Sequence, residues 1–182
     1  MEKERSVFIV GIDESKQSFH ALEWALDSFF APFSQETLPY KLVILHVRPV
    51  VSSYVGMAGP ANPSDPKNTT YAIFLNVCFF EFIGASDILP MVEHDLHASA
   101  TKVTERAREI CVSKSVTDFT TEVKEGDARN VLCEAVERHH ASMLIVGSHG
   151  YGAIKRAVLG SVSDYCAHHA HCTVMIVKMP KV

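Results

Sequence analysis

No apolar run in this 182-residue chain reaches the roughly 20 residues that a helix needs to span a bilayer. The longest, Tyr71 to Ile83, is interrupted by Asn76 and Glu81, so no transmembrane segment is expected. Positive charge is also scarce: 17 Lys and Arg stand against 21 Asp and Glu, a formal net charge of −4. Non-specific affinity for nucleic acid comes from many cationic contacts to phosphate, so this balance excludes a general nucleic-acid binder. The charged opening, Met1 to Arg5, leads straight into Val7 to Val10 and lacks the long apolar stretch and small-residue cleavage site of a secretory signal. Cysteine is sparse and odd in number, with Cys78, Cys111, Cys133, Cys166 and Cys172. That set fits reduced thiols better than a disulfide framework. A cytoplasmic location is expected, with the nucleus or the periphery of the plasma membrane as alternatives.

What is present is a globular composition, 47% hydrophobic and 21% charged, in a length that suits one domain over residues 1–182. Val7 to Val10 forms a short continuous apolar run ending at Gly11, the pattern of a strand buried on both faces. A helix follows, capped by Ser15 or Ser18, with Phe19, Leu22, Ala25, Leu26 and Phe29 as its buried stripe. Leu42 to Val47 repeats the strand pattern and stops before Pro49. After an irregular stretch, a helix is predicted from about Met91 to Cys111, then a strand at Thr120 to Lys124. Beyond Gly126 come a helix from Ala128 to His139, a strand at Met143 to Val146, a helix from Ser161 and a strand at Thr173 to Val177. This alternation predicts an α/β fold: a doubly wound, five-stranded parallel sheet with helices on both faces, Rossmann-like in plan. Such sheets bind ligands beyond the carboxyl ends of their strands, where Gly11 to Asp13 and Gly147 to Ser163 both fall.

The segment after Val146 carries the main chemical signal: Gly147, Ser148, His149, Gly150, Tyr151, Gly152 and Ala153, then Gly160, Ser161, Val162 and Ser163. Gly147 and Gly150 lack a Cβ where backbone turns and approaches a ligand, and loop amides can point at anionic oxygens. Gly160 and Ser161 open a helix whose unpaired amides and positive dipole end favour phosphate, with the hydroxyls of Ser161 and Ser163 as further donors. The alternative is that the glycines only form turns and Ser161 only caps the helix. The loop is neither a Walker A motif nor the dinucleotide fingerprint. Lys155 and Arg156 are placed either to neutralise phosphate or to be solvated on an exposed turn.

The spacing Gly147, two residues, Gly150, nine residues, Gly160, Ser161 resembles the ATP-binding signature of the universal stress protein family. Val10, Gly11, Ile12, Asp13 and Ser15, then Leu45, His46 and Val47, and Gly126 with Asp127, are similar to other segments of that family, plant members above all. The resemblance covers nearly the whole chain except about residues 54–86, which read as an atypical insertion. It implies the family's adenine nucleotide alpha hydrolase-like fold. It also implies that Gly11, Ile12, Asp13 and Val47 surround adenine and ribose, while Gly147 to Ala153 and Gly160 to Ser163 contact ribose and phosphates. ATP or AMP would be the ligand, with Mg2+ as a possible companion, and a homodimer would form through Thr173 to Val177. Asp13 as a simple helix-start residue is the competing reading.

Other chemistries are less well supplied. Cys166, His168, His169, His171 and Cys172 crowd together in sequence, but structural zinc usually takes four ligands as separated pairs. His149 as a catalytic base lacks an acidic pair to hold metal and water, so slow ATP hydrolysis is the most that is expected, and no catalytic residue is assigned. Tyr71 to Ile83 is expected to be an extra strand, a loop or an aromatic patch for a protein partner.

Overall fold

The computed structural model describes residues 5–31, 33, 38–50, 85–148 and 159–180. Nearly all of residues 54–86, expected to be an insertion, with Cys78 and the Tyr71 to Ile83 run, lies outside them, as do His149 to Ala153, Lys155 and Arg156. The chain divides into two units. One comprises residues 1–48 and 100–182, the other residues 49–99.

The larger unit holds five parallel strands: β1 (Ser6–Ile12), β2 (Tyr40–Arg48), β3 (Phe119–Glu125), β4 (Met143–Gly147) and β5 (Thr173–Val177). They lie in the order β3-β2-β1-β4-β5. Ile9 pairs with Val43 on one side and Leu144 on the other, and Gly147 pairs with Val177. Both strands flanking β1 are therefore central, and alternate residues of β1 and β2 are buried on opposite faces. Phe8, Val10, Ile12, Leu42 and Ile44 join one core, whereas Ile9, Val43 and Leu45 join the other. Continuous apolar runs such as Val7 to Val10 are what burial on two faces requires.

Helix α1 (Lys16–Ala25) is capped at Ser15, whose side chain accepts from the Ser18 N–H. It continues as a π-helical turn, Leu26–Phe30, in which the Ala31 N–H donates to Leu26 C=O at 2.8 Å. The wider turn moves the buried face along by one residue. Phe30 is buried where a regular helix would have buried Phe29, which only packs against the core edge. Helix α2 (Ala85–Ser113) begins before the expected Met91 and runs through Pro90. Within the larger unit its Val103, Ala107 and Cys111 complete the core with α1. The opposite face is covered by α3 (Ala128–Arg138), through Val131, Leu132, Ala135 and Val136, and by α4 (Ser161–His169), through Cys166. Among the described residues, no helix is long and apolar enough to cross a membrane.

Candidate nucleotide site

The chain leaves β1 toward β2 on one side of the sheet, while β4 and β5 lie on the other, so the winding reverses between β1 and β4. Connections departing in opposite directions leave a crevice beyond those strand ends. Ile12 and Asp13 end one side of it, and Gly147 and Ser148 the other.

Asp13 organises the start of α1. Its Oδ1 accepts from the Ser15 N–H at 2.9 Å and from the Ser15 hydroxyl. Its backbone N–H donates to Ser18 Oγ at 3.1 Å, and its C=O lies 2.9 Å from the same hydroxyl. A carboxylate offers about four acceptor positions, and among the described residues only Oδ1 is engaged. Capping and ligand binding are therefore compatible roles for Asp13, which is half-buried.

His46 is a neighbour that the sequence pattern did not single out as a site residue. It is buried at the end of β2, with Nδ1 3.0 Å from Ile12 C=O. A carbonyl can only accept, so Nδ1 carries the proton and Nε2 is an acceptor in the neutral ring. The signal available in sequence was a polar residue interrupting an apolar strand next to Val47. Val47 itself points the other way and packs against the α3 and α4 face.

The two strand-end glycines answer to packing. A Cβ at Gly147 would lie 2.9 Å from the backbone C and O of Gln17, so the first turn of α1 presses directly on the end of β4. A Cβ at Gly11 would come 3.0 Å from Leu132 Cδ2 and 3.3 Å from Val146 Cγ1, both movable side-chain ends. Close approach at Gly147 is thus to protein backbone, whereas the sequence pattern suggested a ligand.

Ser148 and Gly160 close the neck of the glycine-rich loop. The Gly160 N–H donates to Ser148 C=O at 2.9 Å, and the Ser148 N–H donates to Val177 C=O at 2.9 Å. Buried Ser163 reinforces the neck, its hydroxyl shared between Gly160 C=O at 2.9 Å and Ser148 C=O at 3.3 Å. That proton is committed inward, so the Ser163 hydroxyl is not the free phosphate donor the spacing suggested. Ser161 is exposed at the first position of α4. Gly160, the N-cap, has no side chain, and among the described residues no side-chain cap satisfies the first amides of α4. Helices α1 and α3, by contrast, are capped by Ser15 and Asp127. Asp164 in the first turn of α4 adds one negative charge there.

The terminal histidines do not gather. His168 and His169 Nδ1 each lie 2.8 Å from the C=O of Asp164 and Tyr165, one turn back, and His171 pairs with Glu137 at 3.1 Å. No group of three metal-ligating side chains is placed to hold an ion among the described residues.

Comparison with known proteins agrees with this architecture. Residues 5–178 match the universal stress protein family. Universal stress protein PHOS34 of Arabidopsis thaliana is 33% identical over 94% of the chain, which spans 61% of that relative's length. Two solved structures share the fold. One is a universal stress protein family protein from Arabidopsis thaliana with AMP bound, with TM-score 0.58 and 22% identity, covering 96% of this chain and 92% of the other. The second is a universal stress protein in complex with cAMP, with TM-score 0.58 and 21% identity, covering 94% and 96%. On the family match across almost its whole length, the chain belongs to the universal stress protein family.

Proposed function

We propose that the chain binds an adenine nucleotide, ATP or AMP, in the crevice beyond β1 and β4 and acts as a nucleotide-dependent stress-response switch or chaperone-like factor. The observation that carries this reading is the uncapped start of α4 at Gly160, facing the same crevice as the half-engaged carboxylate of Asp13. Unpaired amides and a positive dipole end suit phosphate, and a carboxylate oxygen suits ribose hydroxyls. The base and ribose would lie against Gly11, Ile12, Asp13 and Val47. The phosphates would meet the loop from Gly147 and Ser148 through His149, Gly150, Tyr151, Gly152 and Ala153, and the amides of Gly160, Ser161, Val162 and Ser163. The AMP and cAMP bound to two proteins of the same fold support this class of ligand. Mg2+ would arrive on the phosphates, since Asp13 offers a single carboxylate and the described residues assemble no metal group. Titration calorimetry with ATP and AMP is the test. Heat of binding to the parent protein, lost in Ser161→Pro, is expected, and a parent that binds neither nucleotide overturns the reading.

A second feature favours self-association of the same fold. The two edge strands differ: β3 reads FTTEVKE and is mostly polar, whereas β5 reads TVMIV with Val174, Met175 and Ile176 half-buried. Charges protect an edge from pairing, and an apolar edge invites it. A homodimer joined along Thr173 to Val177 follows, with or without nucleotide. Light scattering that finds a monomer at high concentration would count against it.

A further inference from the structure

One peptide group at the wall of the crevice is held from both sides by buried side chains. Ile12 is the last residue of β1 and stands opposite His46 in the register of β2. The C=O of the Ile12–Asp13 peptide lies 3.0 Å from His46 Nδ1, and the N–H of the same peptide donates to Ser18 Oγ at 3.1 Å. The two side chains come from different elements, β2 and α1, and both residues are more than nine-tenths buried, His46 being 7% exposed and Ser18 4%.

A peptide group is planar, so fixing its carbonyl and its amide together fixes the plane. That leaves the ψ angle of Ile12 and the φ angle of Asp13 little freedom, and these angles set the direction in which the Asp13 side chain leaves the strand. The bonds from the Ser15 N–H and hydroxyl to Oδ1 then hold the carboxylate itself. The Ser18 hydroxyl has one proton to give, to Asp13 C=O at 2.9 Å or Ser15 C=O at 3.0 Å, and in either case its oxygen still accepts from the Asp13 N–H. An imidazole within the apolar run Leu42 to Val47 adds nothing to the core that a leucine would not. What it adds is a donor aimed at this one carbonyl.

We infer that His46 and Ser18 are positioning residues for the nucleotide: they lock the Ile12–Asp13 peptide, and with it the Asp13 carboxylate, in the orientation that meets the ribose before any ligand arrives. The inference rests on the nucleotide reading of the crevice and adds that this wall is built in advance. Binding then has little ordering of the strand end to offset.

The test uses the full chain, with AMP calorimetry and NMR-resolved amide exchange of the nucleotide-free protein. Asparagine carries its N–H donor at about the reach of Nδ1, glutamine at about that of Nε2. His46→Asn is expected to hold AMP affinity within about twofold of the parent and His46→Gln to lower it roughly tenfold, with Tm reporting that both are folded. In the free protein, exchange at the Asp13 amide should quicken roughly tenfold in His46→Gln and stay at the parent rate in His46→Asn, although neither change deletes the bond from that amide to Ser18. Ser18→Ala attacks the same peptide from the other side. It should lower AMP affinity by a similar factor, and combining it with His46→Gln should cost little more, because either change breaks the one lock. Equal affinity in His46→Asn and His46→Gln, Asp13 exchange indifferent to residue 46, or fully additive losses in the double variant would overturn the positioning role. A parent that binds no nucleotide overturns the reading of the crevice instead, and exchange at Asp13 still decides whether the peptide is locked.

Discussion

Two helices start beyond the carboxyl ends of neighbouring strands, on opposite faces of the sheet, and their first turns are finished in opposite ways. At α1 every local need is met within a few residues: Ser15 caps, Asp13 holds Ser15, and Ser18 answers the backbone of Asp13. At α4 a glycine stands where a capping side chain would be, and the buried serine nearby turns its hydroxyl inward. A fully satisfied terminus adds stability, typically about 1 kcal/mol for the cap. An unsatisfied one keeps amides for something outside the chain. In the proposed reading, the first terminus serves structure and the second serves recognition.

The largest expected effect tests the contact that brings the two sides together. Gly147→Ala sets a Cβ against the rigid backbone of Gln17 and should lower stability by about 2–3 kcal/mol, read from urea midpoints at constant slope. A smaller loss would mean that α1 can slide away from β4. Next, Gly160→Asp gives α4 the cap it lacks. The expected result is a nucleotide affinity lower by roughly tenfold, about 1.4 kcal/mol, with stability changed by only a few tenths. Unchanged affinity would remove recognition from that terminus.

Ser15→Ala should cost about 1 kcal/mol of stability through the lost cap. Asp127→Ala should cost a similar amount at α3, and there the effect depends on pH. The hydrogen bond and charge of Arg129 hold the Asp127 carboxyl below its usual range. A depressed carboxylate contributes stability above its unfolded pKa and loses it as pH falls through the folded one. The gap between parent and variant should therefore be full at neutral pH and close below about pH 4, in thermal scans across that range. The smallest effect is expected from Asp13→Asn, which keeps an acceptor for Ser15 and removes only the charge. Stability should move by less than about 0.5 kcal/mol, while nucleotide affinity falls a few-fold. A large stability loss there would make Asp13 chiefly a structural residue.

Much of the fold around the candidate site was legible because it is written in local rules. Apolar runs of four or five residues marked β1, β2, β4 and β5, and the Gly160-Ser161 pair marked the start of α4 at its true position. The stripe of α1 was misjudged at its end, since Phe30 rather than Phe29 is buried by a π-helical turn that no periodicity announces. Ser163 was legible as a polar residue in the first turn of α4, yet the direction of its hydroxyl was not. His46 was hidden for a related reason: its partner, Ile12 C=O, is distant in sequence and adjacent only in the sheet.

By itself, then, the sequence determined the order of strands and helices, the two-sided burial of the sheet, the family and the glycine–serine segment where anions are expected. These depend on side-chain polarity and backbone freedom at each position, which neighbouring residues supply. Only the tertiary structure decided that Gly147 makes room for the backbone of α1, that the Ser163 proton serves the neck of the loop, and that Cys133, Cys166 and Cys172 pack on the same face of the sheet. Each of those depends on what a residue touches across the sheet, and the strand order, set by the packing of two helical layers, is what brings such distant residues together.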